Sequence, residues 1–242
     1  MAAENNLGKD KVSRLVWRIA IPSMLGQFVS VLYSIVDRMY IGNLPEIGSV
    51  ALAGVGVCGP IVTLLTSFAT LVGLGGSPLM AMRMGQGRLE DAKKILNNCF
   101  MTLAALSLVL TALFLLLKDH LLMWFGASPN TFPYANTYMT IYTAGTFFAL
   151  MASGMNSFLI CQGFSGLGMI SVVLGAVMNI ILDPVFMFLL HMDVAGAAIA
   201  TVISQICSCA FVLLALRRRK MPVPLGWGGL DWGIVGRVLS FG

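Results

Sequence analysis

Two acidic residues set in strongly apolar surroundings are the side chains of this sequence best placed to do chemistry. Asp183 stands in Asn179-Ile-Ile-Leu-Asp183-Pro184, and Asp37 closes the polar series Ser23, Gln27, Ser30, Ser34, Asp37. An Asn and an Asp four residues apart share one helical face. Pro184 lacks an N–H and crowds the preceding turn, so the carbonyl of Ile180 loses its usual partner and the helix is expected to kink there. A carboxylate, an amide one turn earlier and a freed carbonyl form a candidate cation or proton site in a medium without water. Such a carboxylate can load and release a proton, or stay ionised against a bound Na⁺; the residues leave both open. Asp37 has two readings as well. Beside Arg38 and close to Gly42, it fits an ordinary interfacial charge as readily as a member of a buried site.

The elements that must position these residues are membrane-spanning helices. Of 242 residues, 58% are hydrophobic and 10% charged, where a soluble domain carries roughly 25% charged residues. Apolar runs separated by turn and charge signals give six segments: 15–41, 50–82, 95–117, 132–161, 167–190 and 194–216. Each has the roughly 20 residues that a bilayer requires. The expected fold is therefore an all-α membrane protein, a six-transmembrane-helix bundle over residues 14–216. Residues 1–13 precede it as a cytoplasmic segment. Residues 217–233, with Pro222, Pro224 and several glycines, read as a cytoplasmic linker. Residues 234–242 read as the start of a seventh helix that is cut off.

The basic residues orient the bundle. Lys9, Lys11, Arg14 and Arg18 open the first segment, Arg83, Arg88, Lys93 and Lys94 lie between the second and third, and Arg217–Arg219, Lys220 and Arg237 follow the sixth. The alternate loops hold almost none. The positive-inside rule places both termini in the cytoplasm of a multi-pass protein of the plasma or inner membrane. The net charge of +5 is then a topology signal and needs no nucleic-acid partner.

With that orientation, Asp183 lies about 24 Å along the fifth segment and Asp37 about 33 Å along the first, both in the outer half. The fourth and sixth segments start outside, so Tyr138, Thr140, Tyr142 and Thr201 fall near the same depth. Further polar stripes run through Thr63, Thr66, Ser67 and Thr70, through Ser171, Gly175, Asn179 and Asp183, and through Thr201, Ser204, Gln205 and Ser208. Together they suggest a hydrated interior; the competing explanation is hydroxyl and small-residue contact between helices.

Other chemistries find little support. The five cysteines all fall in apolar segments, which argues against a disulfide framework. With His120 and His191 in short loops, no metal-ligand cluster forms. Gly73, Gly75 and Gly76 follow no strand and are not a nucleotide fingerprint. No nucleophile set or metalloprotease motif appears, so an enzyme is not expected, and neither is a cofactor.

Ile21-Pro22, Val36-Asp37 with Ile41-Gly42, Gln86-Gly87 with Ala92-Lys93, Asn179-Ile-Ile-Leu-Asp183-Pro184, Gly196-Ala-Ala and Ala200-Thr201 together resemble the multidrug and toxic compound extrusion (MATE) family. The resemblance covers residues 14–242. It implies one lobe, the N-terminal one, of a two-lobed H⁺- or Na⁺-coupled antiporter exporting amphipathic or cationic drug-like compounds from a central cleft. It further implies that Asp37 takes part in coupling, with Asn179, Asp183, Thr201, Tyr138 and Asn156 completing the polar cluster and Pro184 bending the fifth helix. Against the family pattern, the C-terminal lobe is absent, so a second lobe or a second copy would have to complete the cleft. The alternatives are a non-transporting remnant, or a flippase for lipid or polysaccharide precursors. The flippase expects cationic residues within the helices, which are missing.

Overall fold

The computed structural model describes residues 12–242, and their side chains from Val16 onward. Lys9, Lys11 and the side chain of Arg14 lie outside the described part. Eight α-helices follow in order: α1 (Val12–Gly42), α2 (Gly48–Gly85), α3 (Leu89–Trp124), α4 (Phe132–Ala144), α5 (Thr146–Cys161), α6 (Ser165–Pro184), α7 (Asp193–Leu216) and α8 (Trp232–Phe241). Five stretches are long and apolar enough to cross a bilayer singly, and α4 with α5 makes a sixth crossing bent by 58°. The chain is a multi-pass membrane protein, with α1 to α7 forming the six-helix bundle expected from its hydropathy.

One departure from expectation concerns where helices bend. The run 132–161 does not form one straight helix: it breaks at Gly145, where a Cβ would lie 2.6 Å from a methyl of Val202 on α7. Only glycine admits that approach. At Pro184, where the sequence leads one to expect a kink, the α-helix gives way to a π-helical turn, Val185–Leu189. The two together form one 25-residue span, Ser165–Leu189. The wider turn absorbs the missing N–H.

Packing follows small residues. α2 crosses α5 where a Cβ on Gly73 would lie 3.0 Å from the Gly154 carbonyl oxygen, and a Cβ on Gly76 would strike Cys99 Sγ of α3 at 2.5 Å. These glycines are contact points between helices, the usual means of close approach in lipid. α1 packs chiefly on α6, α6 on α7, and α7 on α4 and α5. A four-residue turn with His191 (φ 50°) and Asp193 (φ 48°) in the left-handed region returns α6 onto α7, as the short loop required.

The basic residues gather at one end of the bundle. There the segment expected to be a linker is pinned to the helices. Gln162 Oε1 accepts from Val223 N at 3.0 Å and Asn97 Oδ1 from Gly226 N at 3.0 Å, while Asn98 Oδ1 accepts from Asp231 N. Arg217 lies over the Trp227 ring, 5.6 Å from its centroid. Asp231 then caps α8 by accepting from Gly233 N and Ile234 N, an Asp N-cap that starts the helix two residues earlier than its apolar run. α8 buries Ile234, Val235 and Val238 against α2 and α3.

Candidate functional site

The spacing of Asn179 and Asp183 does what it promised: Asn179 Nδ2 donates to Asp183 Oδ1 at 3.1 Å and to Thr201 Oγ1 of α7 at 3.4 Å. Asp183 is 0% exposed and Asn179 1%. α1 supplies the second acid. Its Asp37 carboxyl group lies against that of Asp183. From α4, Tyr138 lies close to Thr201, and the Tyr138 ring stacks on Tyr142 with centroids 6.1 Å apart.

Five of the expected residues, Asp37, Asn179, Asp183, Thr201 and Tyr138, thus meet at one level from four helices, with Pro184 beside them at the head of the π turn. Asp37 is therefore not an isolated interfacial charge. The sixth, Asn156, lies elsewhere. It accepts from Ser171 Oγ at 3.4 Å, and Ser171 is twelve residues before Asp183, about 18 Å along the helix. Thr140, also expected in this layer, donates to the Asn136 carbonyl of its own helix at 2.7 Å.

The electrostatic character of the cluster lies in its oxygens. Asp37 Oδ1, Asn179 Oδ1 and Asp183 Oδ2 are buried with no hydrogen-bond partner among the described residues. Buried acceptors are ordinarily satisfied, and each one left open is costly. Three oxygens of this kind from two helices suit either a proton shared by two carboxyl groups or a hard cation that prefers oxygen ligands.

Below the cluster, toward the basic end, opens a cavity of about 550 Å³ between α1, α2, α4, α5, α6 and α7. Gln27, Tyr33, Tyr142, Asn156 and Gln205 line it, and Asn179 and Thr201 belong to both cavity and cluster. No charged side chain is among its lining residues. Tyr33, a cavity-lining residue, is a site residue that the sequence reading passed over. It sits one turn before Asp37, and that spacing was the available signal. Gln205 lies near Tyr142 and keeps its Oε1 buried without a partner among the described residues.

The stripe on α2 is of another kind. Thr63, Thr66, Ser67 and Thr70 donate to carbonyls three or four residues back. Three of the four are satisfied by their own helix alone and need no ligand; Thr66, bonded in the same way, also reaches the cavity wall.

A family model, MatE, matches residues 22–185. The multidrug export protein MepA of Staphylococcus haemolyticus (strain JCSC1435) is 26% identical over 212 residues, covering 88% of this chain and 46% of MepA. An FAD transporter of Shewanella oneidensis is 26% identical over 216 residues, covering 87% and 47% of the two chains. A solved outward-facing conformation of a multidrug resistance MATE family transporter of the MOP superfamily superposes with a TM-score of 0.85 at 28% identity, over 93% of this chain and 50% of that one. The chain spans about half the length of the curated relatives it matches, the extent of one lobe, and those relatives are transporters. Since the family model runs from Pro22 in α1 through the Asn179–Asp183 pair, over most of the chain, this protein belongs to the MatE, or multidrug and toxic compound extrusion, family.

Proposed function

We propose that this chain is the N-terminal lobe of a cation-coupled multidrug efflux antiporter in the plasma or inner membrane, with its basic end in the cytoplasm. The observation that carries the reading is the apposed Asp37 and Asp183 pair, with unpartnered buried oxygens, at the head of a cavity that shares Asn179 and Thr201 with it. A cation entering the pair changes the charge between α1 and α6. It also draws on the same amide and hydroxyl that face the cavity, so cation and substrate compete for one set of groups.

Asp37 and Asp183 hold the coupling ion, H⁺ or Na⁺. Asn179 and Thr201 transmit its presence to the cavity, and Tyr138 orients Thr201. Asn156 contacts substrate at the far end of the cavity. The π turn after Pro184 lets the outer end of α6 adjust. The substrate class follows from the lining: aromatic, hydroxyl and amide groups without a cationic side chain suit amphipathic neutral or cationic compounds. They do not suit an anionic cargo such as FAD or a pyrophosphate-linked precursor. A C-terminal lobe or a second copy completes the cleft.

The test is export of a fluorescent cationic dye from liposomes bearing the complete transporter, driven by an imposed H⁺ or Na⁺ gradient. Asp37→Asn is expected to abolish gradient-driven export while leaving the amount of folded protein unchanged. Undiminished export by that variant would remove Asp37 from the coupling role.

A further inference from the structure

At the opposite end of the bundle from the Asp37–Asp183 pair lies a second, smaller cavity of about 170 Å³. It is formed where α8 packs into the angle of α2 and α3. Its floor is apolar, made by Leu79, Ile95 and Ile234, and its rim carries Arg83, Arg88, Lys94 and Arg237. Four cations thus face one carboxylate, Asp91, which pairs with Arg88 at 2.6 Å. Glu90 is exposed in the first turn of α3 and is not part of the lining.

The remaining three cations have no acidic partner among the described residues. Arg83 Nη1 donates to the Gln86 side-chain oxygen at 3.0 Å, Arg237 Nε donates to the Gly233 carbonyl at 3.1 Å, and the Lys94 ammonium makes no hydrogen bond or ion pair with a described residue. Arginine guanidinium groups bind phosphate oxygens through paired N–H donors, and a neighbouring ammonium adds a point charge.

The position of the cavity narrows the ligand. It lies where the charged end meets the apolar body, with Ile234 and Arg237 of α8 in its wall. One turn beyond Arg237, on the same face of α8, Phe241 is 63% exposed. A group held by the rim therefore meets apolar surface deeper along the helix, where an acyl chain would lie. Basic pockets between membrane helices are suited to anionic headgroups. We propose that the Arg83–Arg88–Lys94–Arg237 pocket binds the phosphate of an anionic phospholipid, whose chains run along α8. The site shares no residue with the cation cluster or the central cavity.

The test uses the complete transporter purified in detergent, with retention of phosphatidylglycerol, phosphatidylcholine and inorganic phosphate followed by native mass spectrometry. The combined variant Arg83→Gln, Lys94→Gln, Arg237→Gln leaves the Arg88–Asp91 pair in place and removes three charges. A control of equal charge, Arg218→Gln, Arg219→Gln, Lys220→Gln, removes three charges from the same end outside the pocket. The expected result is preferential retention of phosphatidylglycerol, weakened roughly tenfold or more by the pocket variant and little by the control. Equal loss in both variants, or none in the pocket variant, would overturn the site. Displacement of the lipid by inorganic phosphate as readily as by short-chain phosphatidylglycerol would overturn the lipid assignment in favour of a free-phosphate site.

Discussion

Two groups of buried polar side chains sit at opposite ends of this bundle, and they differ in whether their hydrogen bonds are complete. At the basic end, the side-chain oxygens of Asn97, Asn98 and Gln162 each accept a backbone N–H from residues 223–231. At the other end, Asp37, Asn179 and Asp183 each keep a buried oxygen without a donor. Both groups withdraw polar atoms from water and from lipid. The first recovers that cost with internal bonds; the second recovers it only when something binds. Polarity in a membrane helix therefore says little about function until each donor and acceptor has been traced to a partner.

Breaking the open group should cost activity and spare the fold. Asp183→Asn in the complete transporter keeps the side-chain volume, so gradient-driven dye export should fall to background while the protein stays monodisperse on size exclusion. Breaking the closed group should do the reverse. The double change Asn97→Leu, Gln162→Leu strands the N–H groups of Gly226 and Val223, at about 1–3 kcal/mol for each buried donor left unpaired. The melting midpoint in detergent should drop by several degrees, and the choice of driving ion should not change.

Smaller substitutions sharpen the boundary between the groups. Thr201→Val removes one hydroxyl shared by cluster and cavity. A net bond of about 1 kcal/mol corresponds to a roughly fivefold weaker dependence of export on cation concentration. A titration of transport rate against Na⁺ or pH would read it, and an unchanged curve would place Thr201 outside the coupling path. Ser67→Ala, which removes an exposed hydroxyl bonded within its own helix, should alter neither melting nor export, with an effect within about 0.5 kcal/mol.

Much of this was legible in the sequence. The number of spans follows from apolar length, and the gathering of cations at one end follows from their clustering in alternate loops. The Asn179–Asp183 pair and the depth of Asp37 follow from helical spacing. What was not legible depends on residues distant along the chain. The break at Gly145 lies in a run whose one proline, Pro133, is twelve residues away, and what meets it there is Val202 of α7, distant along the chain. The roles of Asn97, Asn98 and Gln162 were hidden because their partners lie 61 to 133 residues away. Asn156 was placed with the acids by resemblance alone, and the structure sets it beside Ser171.

The bend at Gly145 also settles a matter of parity. The helices on either side, of 13 and 16 residues, measure about 20 and 24 Å, each short of a hydrocarbon core of about 30 Å. Neither can cross alone, so together they make a single passage. An even number of passages keeps the cationic start of α1 and the cationic end of α7 on one face of the membrane; an odd number would set them on opposite faces. One residue without a side chain lets two half-length helices count as one, and the sidedness of the whole lobe depends on that count.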